Sequence, residues 1–80
     1  MKTHDLKIEP QYFDAVKAGT KTFEIRFNDR HFEVGDYVLL REWCNGDYMG
    51  REVEKRITYI LHGKNQLGLV LGYVCFSMAD

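Results

Sequence analysis

No apolar run in this sequence approaches the ~20 residues needed to cross a bilayer, so a membrane-spanning helix is not expected. The opening MKTHDLKIEP lacks the apolar core of a leader, and the chain is expected to be soluble and cytoplasmic. Cysteine is scarce. Cys44 and Cys75 alone read as thiols of a reducing compartment rather than a disulfide framework. No pair among His4, His31, His62, Cys44 and Cys75 has C-x-x-C or H-x-x-x-H spacing, so neither a metal nor a cofactor is expected. A basic surplus is missing too: 11 basic residues against 12 acidic leave a net charge of -1. That balance disfavours a long duplex held by phosphate neutralisation, although it does not say where individual charges sit. Repeats, linkers and low-complexity tracts are absent, and residues 1–80 read as one domain. A domain of this size buries only about 60% of its unfolded surface.

What is present is an ordinary share of apolar residues, 45%, with two clear periodicities. Residues 5–9 alternate as a short strand, with Leu6 and Ile8 on one side and Lys7 on the other. The only proline, Pro10, then suits the first position of a helix, and PQYFDAVKAG fits two and a half turns. Phe13 and Val16 share its apolar side, and Gly19 suits the left-handed position that ends it. After Gly19 the period changes to 2. Phe23, Ile25 and Phe27 are expected to face a core, with Thr22, Glu24 and Arg26 opposite.

Asn28-Asp29-Arg30 and EVGD at 33–36 supply turn chemistry, with Asn28 and Asp29 bonding backbone through their side chains. YVLLREW, residues 37–43, is an apolar strand. Asn45-Gly46 signals a hairpin within a connection expected to run from Cys44 to about Gly50. The next strand should place Val53, Lys55, Ile57, Tyr59 and Leu61 on one face, with Glu54, Arg56 and Thr58 on the other. HGKNQLG at 62–68 is a loop, and LVLGYVCFSM is a last strand in which Gly72 marks a bulge or bend. One helix permits only one crossover, which excludes a doubly wound parallel sheet. The expected fold is α+β and mostly β: a small antiparallel barrel or curled sheet of five strands, closed at one end by the helix after the first strand.

The stretch GTKTFEIR, residues 19–26, concentrates charge. Glu24 and Arg26 stand roughly 6.6 Å apart along a strand at about 3.3 Å per residue. Lys21 follows the helix C-terminus, where its ammonium meets the negative end of the helix dipole. A groove between helix and strand would carry Lys21, Glu24 and Arg26 together. On spacing alone the default is a solvated strand face with exposed pairs worth ~0–1 kcal/mol each.

Gly19, Lys21, Glu24 and Arg26 also match the G-x-K-x-x-E-x-R signature of the ASCH domains, within the PUA-like superfamily. His4–Ile8, NDR at 28–30, VGD at 34–36, REW at 41–43 and MGR at 49–51 extend the likeness over nearly the whole chain. The sequence resembles a small ASCH-related family of uncharacterised bacterial and phage proteins. That resemblance implies a five-stranded PUA-like barrel with a helix beside its opening. It also implies a cleft there for RNA or a nucleotide.

Three functions follow as expectations. In the first, Lys21 and Arg26, with Thr22 and Arg30 nearby, meet phosphate or a base edge, Glu24 accepts from an exocyclic amine, and Trp43 or Tyr48 stacks. In the second, the chain is a small amidohydrolase. Some proteins resembling ASCH domains deacylate N4-acylated cytidine with the motif lysine, a threonine three residues later and a distant glutamate. Lys21 is kept here, but Glu24 replaces the threonine, and residues 62–68 hold no carboxylate. Glu24 would then have to be the base, with Lys21 steadying the oxyanion. The third is a phage-type protein-interaction or inhibitor module anchored by Trp43, Tyr48 and Tyr37.

Other residues read more simply. Asp29 and Arg30 belong either to the turn or to a flap over the cleft. Either Arg41 or Glu42 points into the barrel mouth. Arg51, Lys55 and Arg56 lie among Glu52 and Glu54 as a solvated, mixed-charge strand. Cys75 reads as a core thiol and Cys44 as an incidental one.

Overall fold

A computed structural model describes residues 1–64 and 68–80. The elements run β1 (Thr3–Ile8), α1 (Pro10–Ala18), β2 (Phe23–Phe27), β3 (Tyr37–Cys44), β4 (Asp47–His62) and β5 (Tyr73–Ala79). Five strands form one curled sheet, a half-barrel in the order β1-β3-β4-β5-β2, with a single helix after the first strand. Every neighbouring pair is antiparallel except β1 with β3. No helix among the described residues is long and apolar enough to cross a membrane.

On β1, β3 and β5 the even-numbered residues build the inside. His4, Leu6 and Ile8 on β1, Val38, Leu40 and Glu42 on β3, and Val74, Phe76 and Met78 on β5 are all buried. Helix α1 adds Phe13 and Val16 beside β3. Pro10 opens the helix at a position whose N–H has no intrahelical partner, and the Gly19 N–H closes it on the Val16 carbonyl. Phe32 completes the core, with its ring 5.1 Å from Phe76.

Four expectations need correction. The inward face of β2 is the reverse of the expected one: Glu24 is 5% exposed, whereas Phe23, Ile25 and Phe27 are 45%, 53% and 55% exposed. Register decides this, because Glu24 is paired with Phe76 and Arg26 with Val74, and paired residues share a face. On β4, Val53, Lys55 and Ile57 keep the expected inward phase, but the ladder shifts between Ile57 and Tyr59. That bulge turns Tyr59 and Leu61 outward and brings Ile60 against the core.

The third correction is the β3–β4 connection, which is a two-residue hairpin and not a longer loop. Asn45 and Gly46, with φ of 52° and 81°, sit directly between Cys44 and Asp47. Both values are positive, as a type I′ turn requires. Last, β5 begins at Tyr73, because the chain turns at Leu71-Gly72 after an isolated bridge at Leu69. Of the loop expected at 62–68, His62 ends β4 and residues 65–67 lie outside the described residues.

Candidate functional site

β1 and β2 are the two ends of the sheet order and share no ladder. The half-barrel therefore has a seam. Two arginines reach across it: Arg26 Nη2 donates to the Lys7 carbonyl at 2.8 Å, and Arg30 Nη1 donates to the Asp5 carbonyl at 2.9 Å. Successive odd residues of a strand point their carbonyls the same way, so both acceptors lie along one edge of β1. The guanidinium fork suits this task because its five donors are rigidly spaced.

Glu24 anchors the β2 side. Its Oε1 accepts from Lys21 Nζ at 2.9 Å, and its Oε2 lies 3.4 Å from Arg26 Nε. Lys21 Nζ also donates to the Phe23 carbonyl at 2.7 Å and lies 5.6 Å from the Tyr12 ring centre. The buried carboxylate is thus held by two partly covered cations, which is how a charge is tolerated inside so small a core. Beside it, Leu6, Arg26, Phe27, Asp29, Arg30 and Phe32 line a cleft of about 210 Å³.

The structure therefore brings Lys21, Glu24 and Arg26 into one cluster and adds Arg30 through the cleft wall. Thr22 is exposed, and its carbonyl takes the Met78 N–H. Trp43 and Tyr48 do not line the cleft. They face each other across the β3–β4 hairpin in an edge-to-face pair at 4.7 Å. Lys7 caps the Trp43 ring at 3.9 Å, and the Arg41 guanidinium caps Tyr48 at 3.9 Å. Asn28 fixes the turn as expected, accepting the Phe32 N–H at 3.0 Å. A second cavity of about 310 Å³ lies beyond it, between Asn28, His62, Lys64 and Tyr73. Among the described residues no group of three or more His, Cys, Asp or Glu side chains converges to hold a metal, and both cysteines are free.

Two polar clusters escaped the reading of the sequence. Arg51 is exposed as expected, but it is not simply a solvated strand charge. Its Nε and Nη2 clamp Glu42 at 2.8 and 2.7 Å, and Nη2 also holds Asp14 at 2.9 Å, tying the hairpin to α1. The Arg51 hydrogen bonds keep the Glu42 carboxyl below its usual range despite burial, and in return those to Glu42 and Asp14 push the guanidinium further up. His4 Nε2 meets Asp36 Oδ2 at 2.8 Å, and the Lys2 and Glu33 N–H groups donate to the same carboxylate. Burial pushes Asp36 up, but these donors, led by His4, outweigh it and leave the carboxyl below its usual value. A signal for both was available. His4 shares phase with Leu6 and Ile8, and Glu42 shares phase with Val38 and Leu40.

A curled five-stranded sheet with one helix and a cationic seam defines the class of domain. A family model described as "Domain of unknown function (DUF3850)" matches residues 3–78, and the chain belongs to that family. A similar protein is the "Uncharacterized 12.9 kDa protein in GpA 3'region" of Escherichia phage P2, 47% identical over 57 residues. That alignment covers 71% of this chain and 52% of the phage protein, so the chain spans about half the length of this relative.

Proposed function

We propose that this chain is an ASCH-related, PUA-like module that binds a nucleotide or a short RNA element at the β1–β2 seam. The observation that supports the reading is the convergence of Arg26 and Arg30 on one cleft, with Arg26 held in turn by Glu24 of the Lys21–Glu24 pair. Of the residues that line it, Arg26 and Arg30 are cations and Asp29 is a carboxylate, which leaves one positive charge. Each guanidinium uses only part of its donor set within the chain, so N–H groups remain for a phosphate or a base edge. One excess charge and a cleft of about 210 Å³ suit a single nucleotide or one splayed base rather than a long backbone.

Binding is favoured over cytidine deacylation because both Glu24 oxygens are already engaged by cations, whereas a general base needs one directed at water. The test is a heteronuclear NMR titration with nucleosides, nucleotides and short single-stranded RNAs. Saturable shifts in residues 21–32 are expected, and the apparent Kd should rise at least about tenfold in Arg30→Ala. Absence of saturable shifts at millimolar ligand would remove the reading. So would unchanged affinity in a Lys21→Ala, Arg26→Ala, Arg30→Ala triple variant. Release of cytidine from N4-acetylcytidine, followed by chromatography, would replace binding with catalysis.

A further inference from the structure

The outward turn of β2 leaves an apolar face uncovered. Across β4, β5 and β2 the register aligns Tyr59 with Ser77 and Phe23, Leu61 with Cys75 and Ile25, and Tyr73 with Phe27. Phe23, Ile25, Phe27, Tyr59, Leu61 and Tyr73 are between 37% and 65% exposed, and none carries a charge. The outer face over β1 and β3 is different, because Asp5, Lys7 and Arg41 place charges of both signs there. Aromatic side chains offer 150–250 Å² each, so the six residues leave on the order of 600 Å² of adjoining apolar surface open. That is about the largest patch an ordinary monomer exposes, on a molecule of only 5254 Å².

We propose that this face is the interface of a homodimer, in which the β2–β5–β4 sheets of two copies stack face to face about a twofold axis through Ile25. The area supports a second copy as the occupant. Two such faces would bury roughly 1,200 Å², the lower bound for a specific stable interface. Symmetry supports it as well. Phe23, Ile25 and Phe27 read the same in either direction along β2, so a twofold through Ile25 sets Phe23 of each copy against Phe27 of the other. A net charge of -1 opposes self-association only weakly.

Pairing through the free edge of β2 is disfavoured. The β5-facing bonds use Thr22 and Asn28, so the odd residues present their backbone to that edge. There Lys21 already occupies the Phe23 carbonyl, and the Asp29 N–H occupies that of Phe27. Single-stranded nucleic acid is disfavoured because the six residues include no Lys or Arg for phosphates.

Sedimentation equilibrium from low micromolar to near-millimolar protein tests the assignment. The wild-type mass should rise with concentration from 9.4 kDa toward twice that value. Ile25→Glu and, independently, Tyr59→Glu should each weaken the dimer about thirtyfold or more, with the far-UV spectrum unchanged. If Ile25→Glu misfolds, Tyr59→Glu carries the test, because Tyr59 is the most exposed of the six. A wild type that stays monomeric throughout overturns the proposal. A dimer untouched by either substitution also overturns it, as does a monomeric face that instead takes up single-stranded RNA. The two substitutions leave the lining of the seam cleft unchanged, because neither Ile25 nor Tyr59 belongs to it; Phe27 alone is shared by the cleft and this face.

Discussion

At the residue scale, buried carboxylates set how this small core responds to substitution and to pH. Glu24 sits within a shell of two cations and has an apolar partner, Phe76, across the ladder. Glu24→Gln keeps the shape and removes the charge, leaving Lys21 and Arg26 without their counter-ion in a half-covered site. The expected loss is about 1–3 kcal/mol in urea unfolding. A loss below about 0.5 kcal/mol would make the pair an exposed one in energetic terms.

Asp36 sets an acid limit. Its native pKa lies below the ordinary 3.8, so around that pH the unfolded chain binds more protons than the folded one. Its stabilising effect is complete above 3.8 and is lost as pH falls through 3.8 toward the native value. Glu42 acts in the same direction below 4.5. Asp36→Asn is therefore expected to flatten the fall of the urea midpoint between neutral and acid pH. An unchanged slope would remove the His4–Asp36 contact from the acid response.

At the element scale, parity along the strands was readable wherever one face alone was apolar. Leu6 and Ile8 alternate with Asp5 and Lys7 and lie inside. YVLLREW and YVCFSM, in contrast, are apolar on both sides, so their parity was not readable, and Cys75, expected in the core, lies on the face opposite Phe76. β2 defeated the same reasoning because FEIRF places its apolar residues on the solvent side. Only the pairing of Glu24 with Phe76 and of Arg26 with Val74, a fact of register between distant segments, reveals the inversion. The bulge at Thr58 is comparable. It changes the phase of β4 in mid-strand, and no glycine or proline announces it. The cluster of Lys21, Glu24 and Arg26 was readable from spacing and signature together. Arg30 was named beside that cluster, as part of the turn or of a flap, but its bond to β1 was not readable, because the path of its loop is set by tertiary contacts.

Gly72 allows an element-scale test. Its φ is +91°, and an added Cβ would lie 3.1 Å from the Phe27 ring. Gly72→Ala is expected to destabilise by about 1–2 kcal/mol from the left-handed backbone, with a further contribution from displacing Phe27. A shifted Phe27 ring resonance should accompany the loss, and a neutral outcome would place this turn in another conformation.

At the scale of the whole molecule, the seam decides whether the sheet behaves as a barrel or as an open curl. Backbone ladders join β1 to β3 and β2 to β5, but between β1 and the β2 side the hydrogen bonds among the described residues come from the Arg26 and Arg30 side chains, on the Lys7 and Asp5 carbonyls. Each bond spans a partly exposed gap, so its loss should cost about 0.5–1.5 kcal/mol. The two are not independent if they hold one closure. Losing Arg30 lets β1 move away from β2, which lengthens the Arg26 bond before Arg26 itself is touched. The double variant Arg26→Ala, Arg30→Ala should therefore cost less than the sum of the single variants, by more than the ~0.3–0.5 kcal/mol scatter of independent sites. Arg30→Lys should not restore the coupling, since one ammonium lacks the planar fork that meets a carbonyl while presenting further donors to the cleft. Strictly additive losses in the denaturation cycle would mean that β1 and β2 are held apart by the rigid core alone. The arginines would then be free to swing to a ligand without opening the fold.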